Sequence, residues 1–83
     1  SVTPMPKPIW LVRPRPDGGC DYVNFVPAPR TGSAVTVEMR EGSHLPPQMP
    51  LLKRRHQLPL EEAERCRLQL QQRDGFRCCD PLF

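Results

Sequence analysis

The chain has 83 residues, a formal net charge of +3 and 37% hydrophobic residues, with 12 Pro, 5 Gly and 4 Cys. A single domain of this size buries only about 60–65% of the surface that its unfolded form exposes, so any core is small. The longest apolar run, Ile9-Trp10-Leu11-Val12, is far short of the ~20 apolar residues of a membrane-spanning helix, and a Pro plus Gly share near one residue in five stays below the ~25–30% at which disorder becomes the default.

Residues 1–8 carry Pro4, Pro6 and Pro8, which remove backbone donors and favour an extended arm; residues 9–83 form a single small domain. No signal-peptide pattern appears at the start, and a cytoplasmic location is expected. Ile9-Trp10-Leu11-Val12-Arg13 is a short β-type run closed by Pro14-Arg15-Pro16 and the turn signal Asp17-Gly18-Gly19. Cys20-Asp21-Tyr22-Val23-Asn24-Phe25-Val26 follows, and the two runs read as a hairpin. After a loop at residues 27–33, Val35, Val37 and Met39 alternate with Thr36, Glu38 and Arg40, the period-2 pattern of a half-buried strand. A Pro-punctuated connection over residues 41–50 leads to a fourth strand candidate at residues 51–58.

Pro59 suits the first helical position, and Glu61, Glu62 and Glu64 put negative charge at the positive end of the helix dipole. Arg65, Arg67 and Arg73 lie toward the other end, and Gly75 is placed to stop the helix. At 100° per residue Leu60, Ala63, Cys66 and Leu70 share one face, with Leu68 off it. Phe76-Arg77-Cys78-Cys79 reads as a closing strand before Asp80-Pro81. The fold expected is α+β: a small antiparallel sheet of three to four short strands packed by one C-terminal helix, with a short closing strand and the Pro-rich N-terminal arm.

Lys53-Arg54-Arg55-His56 is the densest basic cluster. On an extended segment its side chains alternate between two faces, so it is either an edge strand guarded by charge or a contact to phosphate or to an acidic partner. With Arg65 and Arg67 it gives the candidate binding set Lys53, Arg54, Arg55, Arg65 and Arg67. Of the 12 cations 10 are Arg; Arg offers a planar fork to carboxylates and phosphates, although GC-rich coding gives the same bias. No aromatic residue interleaves the basic run, which weakens a nucleic-acid reading. Trp10 and Tyr22 are read as core or cross-strand partners, and residues 46–50 as a stiff connector rather than a polyproline ligand.

Catalytic and metal chemistry find little support. His44 and His56 lack a nucleophile motif beside them, Glu61 and Glu62 diverge on the helix, and Asp17-Gly18-Gly19 does not open a helix as a phosphate loop does. Zinc sites bring two ligands on one tight knuckle such as C-x2-C, and Cys20, His44, His56, Cys66, Cys78 and Cys79 contain no such pair. Adjacent Cys78 and Cys79 point to opposite faces of a strand, so reduced and mostly buried thiols are expected. Neither an enzyme nor a cofactor is expected.

Ile9-Trp10-Leu11-Val12, the Gly turn, Val35-Thr36-Val37-Glu38, Pro50-Leu51-Leu52-Lys53-Arg54-Arg55, Leu58-Pro59-Leu60-Glu61-Glu62-Ala63 and Gly75-Phe76-Arg77 follow one another in an order that resembles a family of short proteins of unknown function from marine picocyanobacteria. That family favours Trp within the helix, where this chain has Arg67 or a neighbour, and again just after the Gly, where it has Phe76. The resemblance covers residues 9–83, implies a cytoplasmic cyanobacterial protein and supplies no activity. The functional expectation is therefore a non-enzymatic accessory or adaptor protein that binds a larger protein complex, photosynthetic or ribosomal, through its Pro-rich arm and Arg-rich surface. The alternatives are nucleic-acid binding through the basic run and a homodimer joined at the sheet edge.

Overall fold

The computed structural model describes residues 7–28 and 35–83. In chain order the elements are β1 (Ile9–Pro14), β2 (Cys20–Pro27), β3 (Thr36–His44), β4 (Leu51–Pro59), α1 (Leu60–Gln72) and β5 (Arg77–Cys79). The strands make one antiparallel sheet in the order β4-β3-β2-β1-β5. This is the expected α+β class, with four meander strands and the closing strand added outside β1. The extended arm expected over residues 1–8 lies, apart from Lys7 and Pro8, outside the described residues.

The β1–β2 turn forms because Gly18 accepts a φ of +89°, while the Gly19 N–H donates to Asp17 Oδ1 at 2.9 Å and the Arg15 N–H to the Gly19 carbonyl at 2.8 Å. That turn fixes the register Ile9↔Phe25 and Leu11↔Val23, and β3 continues it with Phe25↔Met39. One face of the sheet thus collects Ile9, Leu11, Val23, Phe25, Val37 and Met39, and the helix covers them with Leu60, Ala63, Cys66 and Leu70. Each large side chain buried there contributes about 1.5–3 kcal/mol relative to exposure.

Four boundaries differ from those the sequence predicts. Pro59 is not the first helical residue: its ψ of 149° keeps it extended and paired with Thr36, so it caps a helix that begins at Leu60. The β3 strand continues to His44 instead of ending at Arg40, because Gly42 lets β3 and β4 come together at a bulge between Glu41 and Gly42. The last helical turn carries no basic residue, and Arg73 stands at the cap. Phe76 precedes β5, because Gly75 at φ +77° turns the chain and swings the Phe76 ring into the core; its N–H donates to the Leu70 carbonyl at 3.0 Å.

The 13 residues of α1 rise about 20 Å, close to the ~19 Å across the four gaps of a five-stranded sheet. One helix is therefore long enough to take the chain from the β4 edge to the free edge of β1. Among the described residues it leaves the opposite face of the sheet without a helix.

Candidate functional site

The basic run lies on β4, the outermost strand on its side of the sheet. Every residue from 51 to 57 is exposed. The bulge makes Lys53 the extra residue between Arg54, which faces Glu41, and Leu52, which faces Gly42. Arg54 and His56 lie on the helix side of the sheet, where His56 Nε2 stands 3.1 Å from Glu41 Oε2. Arg55 lies on the other side, with Nε 3.2 Å from Glu38 Oε1. Among the described residues, Lys53 and Arg54 form no ion pair. On the helix, Arg65 pairs with Glu62 at 2.7 Å, and Arg67 is held at 2.7 Å by both Glu64 and Gln71. Arg67 is half-buried there, and its Nε has no partner among the described residues. The five predicted basic residues thus divide into an open edge and two helix-bound arginines.

The helix-free face carries a second arrangement, which follows from register. The pairings Arg55↔Arg40, Arg40↔Asn24, Asn24↔Trp10 and Trp10↔Cys79 place these residues in one row across all five strands. Tyr22 stands beside the row, packed over Gly42, and its hydroxyl donates to the Leu51 carbonyl at 3.3 Å. The tail closes over the aromatic end: Phe83 meets Trp10 edge-on at 4.9 Å between ring centroids, Tyr22 at 5.2 Å and His44 at 5.8 Å. Trp10 and Tyr22 are 8% and 3% exposed although no helix covers them, whereas Phe83 is 59% exposed.

Two features of this face are chemically unfinished. Asn24 is 6% exposed, and its Oδ1 has no hydrogen-bond partner among the described residues; a buried polar atom left in this state costs about 1–3 kcal/mol. Arg40 and Arg55 both bind the single carboxylate of Glu38, Arg40 at 2.6 Å and Arg55 at 3.2 Å. Two cations on one anion leave a surplus positive charge. Around these groups lies a cavity of about 270 Å³ walled by Trp10, Tyr22, Asn24, Phe83, Pro50 and Leu52, with Arg40 and Arg55 at its side. A wider hollow of about 520 Å³ continues past the same two arginines to Val26 and Ala28.

The thiols are free, with Cys78 exposed and the other three half-buried. Burial raises the pKa of Cys20, Cys66 and Cys79, and neighbouring acidic groups add to the rise. They are therefore poorly ionised at neutral pH. The register sets Cys78 opposite Leu11 and Cys79 opposite Trp10, on the two faces expected of adjacent strand residues. Among the described residues no three of His, Cys, Asp and Glu gather as metal ligands, and no helix is long and apolar enough to cross a membrane.

No family model, curated protein or solved structure matches the chain.

Sequence reasoning found the basic edge and missed the row on the opposite side of the sheet. Asn24 sits in a strand with one residue on either side that suits a core, and nothing local links it to Arg40 or Trp10. Only the pairing register brings the three together.

Proposed function

We propose that the protein is a non-enzymatic accessory subunit that attaches to a larger protein assembly by taking up an acidic, extended segment of its partner along β4. The observation that carries this reading is the open edge itself: a nine-residue strand with exposed side chains from 51 to 57 and with Lys53 and Arg54 free of ion pairs among the described residues. An edge strand offers unsatisfied backbone N–H and C=O groups to an incoming strand, and its side chains decide which strand is accepted. A second copy of β4 would bring Lys53, Arg54 and Arg55 against like charges, which is unfavourable for directly opposed pairs. A strand bearing Asp or Glu at those positions meets attraction instead, and Leu51 and Leu52, 57% and 42% exposed, offer an apolar anchor at one end. The resemblance to picocyanobacterial proteins makes photosynthetic and ribosomal assemblies the first partners to try.

Phosphate contact through the same run together with Arg65 and Arg67 has less support. The basic residues of β4 divide between the two faces, and Arg65 and Arg67 are occupied by Glu62 and Glu64.

The test uses a fluorescent peptide of alternating Glu and Val, with a Lys and Val peptide as control, followed by anisotropy and amide hydrogen exchange. Binding of the acidic peptide alone, weakened by salt and accompanied by slower exchange at residues 51–57, is expected. Lys53→Glu combined with Arg54→Glu is expected to weaken it by about tenfold or more. Equal binding of both peptides, or no change in exchange along β4, overturns the proposal.

A further inference from the structure

The cavity on the helix-free face differs from the β4 edge in being walled, partly aromatic and polar at its base. We propose that it is a nucleotide site selective for adenine, in which the base lies between the aromatic cluster and Leu52, Asn24 reads the base edge, and Arg40 with Arg55 holds the phosphate.

Size comes first. Pockets for drug-sized ligands run to about 300–1,000 Å³, so a cavity of about 270 Å³ suits one flat ring system. Its lining suits the same chemistry, since Trp10, Tyr22, Phe83, Pro50 and Leu52 all border it. Phe83, 59% exposed, supplies the open ring on which a base can stack, while Trp10 and Tyr22, 8% and 3% exposed, back it; a stacked base is worth about 1–3 kcal/mol.

Asn24 supplies the discrimination. A carboxamide presents an acceptor and a donor side by side, the complement of the amino group and ring nitrogen along one edge of adenine. In the bound state the Asn24 amide turns about χ2, its oxygen accepts from the amino group, and the atom that lacks a partner in the free protein is satisfied. Guanine presents two acceptors along the corresponding edge and leaves Asn24 Oδ1 unpaired.

The arginines supply the anion site. Glu38 neutralises one guanidinium and holds both in place, and the remaining charge faces the junction of the two hollows, because Arg40 and Arg55 line both. A phosphate at that junction leaves the base in the smaller hollow and gives the rest of the ligand a path toward Val26 and Ala28. The shared chemistry is that of an adenine nucleotide, either free or within a single strand.

Trp10 is the only tryptophan and forms part of the wall, so its fluorescence reports binding directly. Titration of the full chain with adenosine monophosphate is expected to give a saturable change, about tenfold tighter than with guanosine monophosphate and tighter than with adenosine. Arg55→Ala is expected to remove the advantage of the phosphate, and Asn24→Leu the advantage of adenine. Asn24→Ala, which removes both the donor and the acceptor, gives the same reading if the leucine variant fails to fold. A short oligoadenylate that binds more tightly than the mononucleotide assigns the site to a single strand, and equal binding assigns it to the free nucleotide. The proposal is overturned by the absence of a saturable signal with any nucleotide, by an adenine preference that survives in a folded Asn24 variant, or by an acidic peptide that alone produces the Trp10 response. The β4 double variant leaves this site intact, so the two proposals fail separately.

Discussion

Gly42 decides where Tyr22 can lie. A Cβ at this position would collide with the Leu51 carbonyl and would stand 2.6 Å from the Tyr22 hydroxyl oxygen, so relief requires β3 to part from β4 and the Tyr22 ring to move. Gly42→Ala is therefore expected to cost about 1–3 kcal/mol, as overpacking generally does. A thermal melt followed by circular dichroism reads this as a fall of about 4–8 °C for each kcal/mol in a chain of this size. Tyr22 makes a second prediction. Burial raises its pKa above the ordinary 10.0, Arg40 pulling the other way and Cys20 adding to the rise. A raised value means that folding favours the protonated phenol. This contribution is complete below the unfolded pKa of 10.0 and is lost as pH rises through the folded value. The half-buried thiols are present in both proteins, so the difference between wild type and Tyr22→Phe isolates the phenol. Urea midpoints are expected to fall more steeply for wild type than for Tyr22→Phe between about pH 9 and about pH 11.

At the scale of elements, legibility followed the range of the signal. The alternation of Val35, Val37 and Met39 is local, and those residues pack on the helix side of β3 or just before it. The helical arc of Leu60, Ala63, Cys66 and Leu70 is local as well, and it meets the core as its spacing requires. Boundaries were less legible where two strands settle them jointly. Nothing in Glu41-Gly42-Ser43-His44 reads as strand by itself, yet Gly42 and the bulge opposite it keep β3 paired with β4 as far as Ser43, and β2 holds it as far as His44. The edge position of β4 could be inferred from cations on both of its faces, since neither face then suits a core. The row from Arg55 through Arg40 and Asn24 to Trp10 could not. A slip of one residue between any two strands sends a side chain to the opposite face, so a site composed of one residue per strand exists only once the register does. The two candidate surfaces therefore differ in kind: the edge is written in consecutive residues, and the cavity in residues 10, 24, 40 and 55, spaced along the first two-thirds of the chain.

For the molecule as a whole, one-sided coverage sets the limit on stability. The helix packs on a single face, and the fully buried large side chains are Phe25, Leu11, Val23 and Val37. A chain of 83 residues at the usual 0.05–0.15 kcal/mol per residue has about 4–12 kcal/mol in total. Phe25, with no exposed surface, pairs with both Ile9 and Met39 at the centre of the sheet, so few neighbours are free to collapse into the space it would leave. Phe25→Ala is expected to cost about 3–5 kcal/mol, which takes most of the stability at the lower end of that range. Phe25→Leu retains most of the volume and costs less. Circular dichroism followed on heating is expected to show a broadened, early melt for the alanine variant and a cooperative one for the leucine variant; equal melts would mean that the centre of the sheet is not the weight-bearing part of the core. The same margin ties the core to binding. A ligand held at a hundred times its Kd adds about 2.7 kcal/mol to the folded state, enough to offset about half or more of the Phe25 truncation. A nucleotide or an acidic strand that binds wild type should therefore raise the melting temperature of the Phe25→Ala variant as well, since the cavity row and the β4 edge both lie outside the position altered.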